Sequence, residues 1–309
     1  EILFENATYA DLIERPGPVA IATGTDMSIG TRFGFYQYDF DLICSDLNTV
    51  HLSRAAATSS AVPVVLSPVT FNNYGGSCDY KYPRWVEDIR VIDEHERPAG
   101  RALERYHDMA AFQDSANRPY LHLVDGGVSD NIGVRGVIDT LELAFISREF
   151  GTQRGFGTIK RVVVIVVNAH SEDINNWEKK ESPPGMISQL LSSSGVPIER
   201  YSFETIELMK DRAAIATWRR DLLVAQARLS GMSEEEAEAS IPKMDVHVME
   251  VSFDRIGDPQ RRRQFQDLPT SFVLPAEEVD NLRDVAGDLM RQSPEYKAML
   301  RSFNTVPGE

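Results

Sequence analysis

The stretch that decides the fold is YLHLVDGGVSDN, residues 120–131. Its first five residues are mostly apolar, which predicts a β-strand over residues 120–124. Asp125 then stands at the carboxyl end of this strand, and Gly126 and Gly127 allow a sharp turn and a close approach of other groups. In parallel α/β sheets, ligands and catalytic groups gather at such strand ends. Asp125 is therefore a candidate catalytic residue, and a turn that only closes the strand is the alternative.

The rest of the chain alternates between strand and helix patterns. Further strands are predicted at residues 19–23, 33–37, 161–167 and 246–251, and helices at residues 52–61, 102–112, 132–150, 198–229, 234–239, 276–290 and 294–300. The unbroken apolar run at residues 162–167 favours a strand covered on both faces. The sequence therefore predicts an α/β fold with a largely parallel sheet. We expect one domain over residues 1–309, with a core portion at 1–170 and a mainly helical C-terminal extension at 171–309.

Composition and charge exclude several classes of protein. The chain has 32 Lys and Arg against 47 Asp and Glu, a formal net charge of −15. A nucleic-acid partner is not expected, because a surface that follows phosphates needs a clustered positive field. The densest basic run, residues 261–263, is interpreted as a solvated helix face. The same net charge disfavours electrostatic docking onto anionic membranes, and the longest apolar run is far shorter than the roughly 20 residues that span a bilayer.

Motifs for metals, cofactors and serine nucleophiles are absent from the sequence. None of the six histidines lies three to five residues from another, and there is no Gly-rich phosphate loop, so neither a metal nor a cofactor is predicted. The elbow Gly-x-Ser-x-Gly does not occur, which makes Ser28, Ser59 and Ser60 poor nucleophile candidates. His170 follows the strand at residues 161–167 and is the alternative base, in a catalytic triad.

Two further features have mainly structural interpretations. Asp130 and Asn131 precede a predicted helix and are interpreted as its N-cap. Cys44 and Cys78 either form one disulfide or remain two buried thiols, because their spacing in sequence does not set the distance between their Cα atoms.

Six motifs follow one another along the chain. They are ATGTD (22–26), FGFYQ (33–37), FDLICSDL (40–47), ATSSAVP (57–63), VDGG (124–127) with Asp130 and Asn131, and DLPTSF (267–272). Together they resemble the patatin-like phospholipases, in particular the bacterial branch with a C-terminal extension. The resemblance covers most of the chain and implies a three-layer αβα fold with a largely parallel central sheet. It also implies a serine paired directly with an aspartate, without histidine; here Asp125 is the general base, and Gly126 and Gly127 complete the active-site motif.

The family's Gly-rich oxyanion loop and Gly-x-Ser-x-Gly elbow precede the region where this sequence begins. The chain therefore lacks the first strands of the fold, and its sheet is expected to expose an unpaired edge. The resemblance implies hydrolysis of lipid acyl esters, of phospholipase A or esterase type, with the serine supplied by a missing or separate N-terminal segment. The alternative is a non-catalytic, patatin-like lipid-binding or interaction module.

Contact with a membrane surface is expected to be transient and to need an apolar lip around the site. The candidates for this lip lie in the irregular stretch at residues 72–97 and just before it, and ordinary loop packing is their alternative interpretation. A periplasmic, outer-envelope or secreted location follows from the family's habit and from a possible Cys44–Cys78 bridge. The lip candidates are Phe71, Tyr74, Tyr80, Tyr82 and Trp85.

Overall fold

The computed structural model describes residues 3–83, 85–86, 100–146, 159–170, 177–241, 243–269, 271 and 273–304. The chain divides into two compact units, one of residues 1–154 with 190–202 and the other of residues 155–189 with 203–309. Both contain helices and strands, so the α/β class is confirmed. The single domain with a core to residue 170 stays a prediction.

The first unit is built on a four-stranded sheet in the order β2-β1-β4-β3. Its strands are β1 (Thr23–Asp26), β2 (Arg32–Gly34), β3 (Val69–Asn72) and β4 (Tyr120–Asp125). Its helical segments are α1 (Tyr9–Glu14), α2 (Gln37–Leu42), α3 (Leu52–Ser59), α4 (Gly100–Gln113), α5 (Gly127–Asp130) and α6 (Val134–Ile146), with a 3-10 turn at Leu47–Thr49. The predicted helix at residues 132–150 therefore begins at Val134, and its last four residues lie outside the described part of the chain.

All three pairings of this sheet are antiparallel, so the prediction of a largely parallel sheet is wrong for the first unit. The short turn between β1 and β2 explains one pairing, because a parallel pair needs a crossover of a dozen or more residues. Alternation along β4 places Leu121 and Leu123 in the core and leaves Tyr120 and His122 exposed. Buried aromatic rings fill the space beside them: Phe33, Phe35, Phe40, Phe71, Phe112 and Trp85.

The predicted strand at residues 19–23 is largely wrong. β1 begins only at Thr23, and both Val19 and Ile21 are exposed. The apolar content of residues 19–22 favoured a strand, but their side chains do not contribute to the core. The strand at residues 33–37 is likewise shorter than predicted, since β2 ends at Gly34 and α2 begins at Gln37.

The second unit contains a parallel pair of strands, β5 (Arg161–Asn168) and β6 (Asp245–Ser252). Its helical segments are α7 (Met186–Leu229), α8 (Glu234–Ser240), α9 (Pro259–Gln266), α10 (Ala276–Gln292), α11 (Pro294–Asn304) and the 3-10 turns Trp177–Lys179 and Phe253–Arg255. Residues 190–202 of α7 group with the first unit. Helices α10 and α11 pack on β6. Their core includes Val251, Phe265 and Leu289.

Sequence signals explain where several of these helices begin. Ser233 and Glu236 form a capping box at α8, and Pro275 precedes α10 with two glutamates in its first turn. The strand β5 differs from expectation. Its Val166 is buried, but the alternate positions Val163, Ile165 and Val167 are exposed, so within the described residues this strand is not covered on both faces.

Candidate active site at Asp125

Asp125 is held in place through its backbone on three sides. Its N–H donates to the carbonyl of Ala61 at 2.9 Å, and its Cα faces Gly24 of β1 in the antiparallel ladder. Its carbonyl accepts from the Thr25 hydroxyl at 2.9 Å, and that hydroxyl also lies 2.8 Å from the Ser129 hydroxyl. These contacts fix the Cα of Asp125 at the end of β4, so its side chain projects from a rigid frame.

The carboxylate of Asp125 is half-buried and accepts one hydrogen bond, from the Gly127 N–H to Oδ1 at 2.7 Å. Burial raises the pKa of Asp125, and the hydrogen bond from Gly127 opposes this rise. A carboxylate with a raised pKa can accept a proton more readily than an ordinary surface aspartate. The group is therefore suited to act as a general base.

Close packing requires a glycine at position 126, and Gly127 lies against two side-chain oxygens. A Cβ at Gly126 would lie 2.3 Å from Oγ1 and 2.5 Å from the carbonyl oxygen of Thr23. A Cβ at Gly127 would lie 2.7 Å from Oδ1 of Asn131 and 3.0 Å from Oδ1 of Asp125 itself. The predicted close approach of other groups to this turn is thus present, and it involves β1 and the carboxylate.

The serines that the sequence marks as poor nucleophile candidates do not bond the Asp125 carboxylate. Ser60 is adjacent to Ala61, but its hydroxyl donates to the carbonyl of Ala56 within the helix at 2.8 Å. Ser28 lies in the turn after β1, at the end of that strand away from Asp125. Among the residues that the structure describes, only the Gly127 N–H bonds the carboxylate, and no hydroxyl or imidazole does.

His170 lies in the second unit, two residues after the end of β5. It is partly buried. A triad in which His170 acts as the base stays a prediction.

Asp130 is a structural residue, as its N-cap interpretation predicted. Its buried carboxylate accepts the N–H groups of Arg135 and Gly136, each at 3.1 Å, in the first turn of α6. Arg32 lies beside it, with Nε 3.7 Å from Oδ2. The capping prediction is wrong for Asn131, whose amide donates to the Ser202 hydroxyl at 3.2 Å. Asn131 therefore packs against the glycine turn instead of closing the helix.

The sequence interpretation missed the contribution of β1 to this site. Thr23 lies against Gly126, and Thr25 bonds the carbonyl of Asp125. Their motif, ATGTD at residues 22–26, was recognised only for its family resemblance. Thr23 and Thr25 flank Gly24, and this pattern was a signal for close packing beside another strand. Because Gly24 has no side chain, β4 and the Thr58 side chain approach it closely.

Two of the five aromatic residues proposed for an apolar lip are buried, and the lip stays a prediction for the others. Phe71 and Trp85 are buried in the core of the first unit, which supports the loop-packing alternative for these two. Tyr80 packs partly against that core, whereas Tyr74 and Tyr82 are exposed.

Cys44 and Cys78 form a disulfide, with their Cα atoms 5.6 Å apart. Two open depressions, of about 390 and 570 Å³, adjoin the bridge. Neither is lined by Asp125, so they are separate from the candidate site. No cluster of three or more potential metal ligands occurs within the described ranges. None of the helices in that part of the chain has the length and apolar character needed to cross a membrane.

Comparison of the chain with protein-family models, with curated proteins and with solved structures found no match. The resemblance to patatin-like phospholipases therefore rests on the sequence motifs.

Proposed function

We propose that this chain supplies the general base of a patatin-like serine hydrolase that acts on lipid acyl esters. The observation that carries the proposal is the Asp125 carboxylate: half-buried at a strand end, raised in pKa, and bonded only by the Gly127 N–H among the described residues. In this proposal the two units belong to a three-layer αβα fold. The serine comes from a missing or separate N-terminal segment.

The proposed reaction needs one proton carrier. Asp125 takes the proton of the serine hydroxyl while the serine oxygen attacks the ester carbonyl carbon, which becomes a tetrahedral oxyanion. Collapse of this intermediate breaks the bond to the alcohol, and the protonated Asp125 returns the proton to the leaving oxygen. Water then repeats the sequence on the acyl-enzyme and releases the fatty acid. No metal or cofactor enters any step.

The test compares two substitutions in the protein encoded by the whole reading frame. Asp125→Asn keeps the size of the side chain and its ability to accept from Gly127 but removes the base, so we expect hydrolysis of a lipid ester to fall by about 10²- to 10⁴-fold. His170→Ala is expected to leave the rate unchanged. If Asp125→Asn hydrolyses the ester at the original rate, the proposal is wrong, and a loss only in His170→Ala would favour the triad.

The second candidate function is a lipid-binding or interaction module without catalysis. The observation that favours it is the absence of Gly-x-Ser-x-Gly from residues 1–309. The reading frame upstream of Glu1 separates the two candidates, because an in-frame elbow there supports the hydrolase. An intact-mass spectrum gives the same distinction for purified material, since this chain alone has a mass of 34.6 kDa.

A further inference from the structure

The C-terminal half of α7 carries apolar side chains on its exposed face. This part of the helix, residues 203–229, belongs to the second unit. Trp218, Leu222 and Leu229 are 68%, 58% and 88% exposed. Single exposed apolar residues are common on protein surfaces, but a contiguous apolar patch is typical of an interaction site. We call the following residues the α7 stripe: Ile215, Trp218, Leu222, Ala225 and Leu229.

The spacing of the α7 stripe is that of a coiled coil. Successive members are three, four, three and four residues apart, which corresponds to positions a and d of a heptad repeat. All five members are exposed, and this spacing places them on one face of the helix. At 1.5 Å per residue, the stripe is about 21 Å long. The stripe is therefore shaped to pack along another α-helix.

The opposite face of the same helix is already in use within the second unit. Ala213, Val224 and Ala227 are partly covered there. On the same face, Nη2 of Arg220 donates to the carbonyl of Glu238 in α8 at 3.4 Å. These contacts fix which way the helix faces, and they leave the α7 stripe uncovered by the residues that the structure describes.

A second copy of the same helix matches the stripe when the two helices run antiparallel. A two-fold axis between Leu222 and Ala225 places Leu222 of one copy opposite Ala225 of the other, so a large side chain meets a small one. The same axis places Trp218 opposite Leu229 of the second copy. Because the interface is symmetric, each of these contacts occurs twice.

The antiparallel arrangement also accounts for an apolar residue beyond the helix. Met232 is 47% exposed, and its N–H donates to the carbonyl of Ala227 at 3.2 Å, which holds it against the end of α7. The next position d of the heptad repeat falls on Met232, and the same two-fold axis places it opposite Ile215 of the second copy. The exposed apolar residues thus find apolar partners along the whole stripe.

The charges beside the stripe favour the same orientation. Asp221 and Arg228 occupy g positions, and the antiparallel pair places Asp221 of each copy opposite Arg228 of the other. Arg228 also lies 3.5 Å from Glu234 of its own chain, but both side chains are more than half exposed, so Arg228 stays accessible. A parallel pair would place Asp221 opposite the neutral Gln226 and Ala225 opposite Ala225, which loses the charge pairs and leaves a gap.

We propose that the α7 stripe joins two copies of this protein through a short antiparallel coiled coil. The inference goes beyond the proposed hydrolysis and does not depend on Asp125. The test is sedimentation equilibrium of the protein encoded by the whole reading frame. We expect twice the mass of one chain at high concentration and a concentration-dependent return to one chain on dilution. A protein that stays monomeric at about 100 μM would overturn the proposal.

The decisive variant combines Trp218→Asp with Leu222→Asp. We expect its dimer dissociation constant to rise at least about 100-fold, because four carboxylates enter the apolar seam. The matched control combines Phe203→Asp with Leu223→Asp, two exposed apolar residues of the same helix at heptad positions c and b, outside the seam. The control is expected to dimerise like the parent. Equal dimerisation by the stripe variant and the control would mean that the interface lies elsewhere.

A charge reversal separates the interface from an effect on folding. Asp221→Arg places arginine opposite Arg228 of the second copy, so we expect the dimer to weaken several-fold. Adding Arg228→Asp restores opposite charges in the reversed order and is expected to recover the affinity. A double variant that dimerises no better than Asp221→Arg would contradict the antiparallel pairing.

Cysteine cross-linking tests the orientation of the two helices. Cys44 and Cys78 are joined to each other, so Trp218→Cys and Leu229→Cys each introduce one free thiol into residues 1–309. We expect an interchain disulfide when the two variants are mixed under mild oxidation. Neither variant alone is expected to cross-link, because the two copies of residue 218 lie about 16 Å apart along the antiparallel pair. Cross-linking by each variant alone would mean parallel helices and would overturn the proposal.

Discussion

At Gly126, the structure predicts that substitution by alanine destabilises the protein, whereas the same substitution in a helix usually stabilises it. The Gly126 backbone is helical, with φ −61° and ψ −26°, a conformation in which alanine is ordinarily better than glycine by about 0.5–1 kcal/mol. Gly195 in α7 is also helical, and a Cβ built there meets no atom within 4 Å. Gly195→Ala is therefore expected to stabilise the protein by about 0.5–1 kcal/mol.

The same methyl group at Gly126 has no room. It would lie 2.3 Å from the Thr23 hydroxyl oxygen and 2.5 Å from the Thr23 carbonyl oxygen, about 1 Å closer than ordinary van der Waals contact. The hydroxyl can rotate away, but the carbonyl belongs to the backbone of β1. Overpacking of this kind costs about 1–3 kcal/mol, which exceeds the helical gain. We therefore expect Gly126→Ala to destabilise the protein by about 1–2 kcal/mol.

Denaturant unfolding of Gly126→Ala and Gly195→Ala, followed by circular dichroism, measures the change in the free energy of unfolding for each variant. Adding Thr23→Ala to Gly126→Ala is expected to recover only part of the loss, because the carbonyl contact remains. A shift of about 1 Å at Asp125 is also expected to lower ester hydrolysis on the order of 10²-fold. If Gly126→Ala stabilises the protein as Gly195→Ala does, the close approach of β1 to the glycine turn is refuted, and with it the geometry of the site.

Two further predictions concern the disulfide and the pH dependence of stability. Cys44 and Cys78 are 34 residues apart, so replacing both with serine is expected to lower the free energy of unfolding by about 3–4 kcal/mol through the greater entropy of the unfolded chain. Denaturation with and without a reductant checks this, and equal midpoints would contradict it. Burial raises the pKa of Asp125, so its contribution to stability is complete below the ordinary aspartate pKa of about 4 and is lost as the pH rises through the higher value. Asp125→Asn resembles the protonated form and should match the parent in acid but exceed it in melting temperature at neutral pH; a difference independent of pH would argue against the raised pKa.

Local signals were sufficient for much of the chain. The strand over residues 120–124, the parallel strands β5 and β6, and the start of α10 at Pro275 all follow from apolar runs, β-branching and capping residues. The glycine turn after Asp125 was recognised in the same way. These features depend on residues within a few positions of one another, which is why the sequence determines them.

Contacts between residues far apart in sequence decided the strand register, the cysteine pairing and the exposure of strands. Nothing in residues 19–26 indicates that only the last three pair with β4, because that register depends on a strand about 100 residues later. The pairing of Cys44 with Cys78 and the exposure of β5 have the same origin.

By itself, the sequence determined the α/β class, the identity of Asp125 and its two glycines as the candidate site, and the helix starts set by caps. Only the tertiary structure decided that Thr23 and Thr25 support this turn and that Asn131 does not cap the helix. The physical reason is that capping and turn formation are local, whereas burial and strand register arise from packing between segments far apart in the chain.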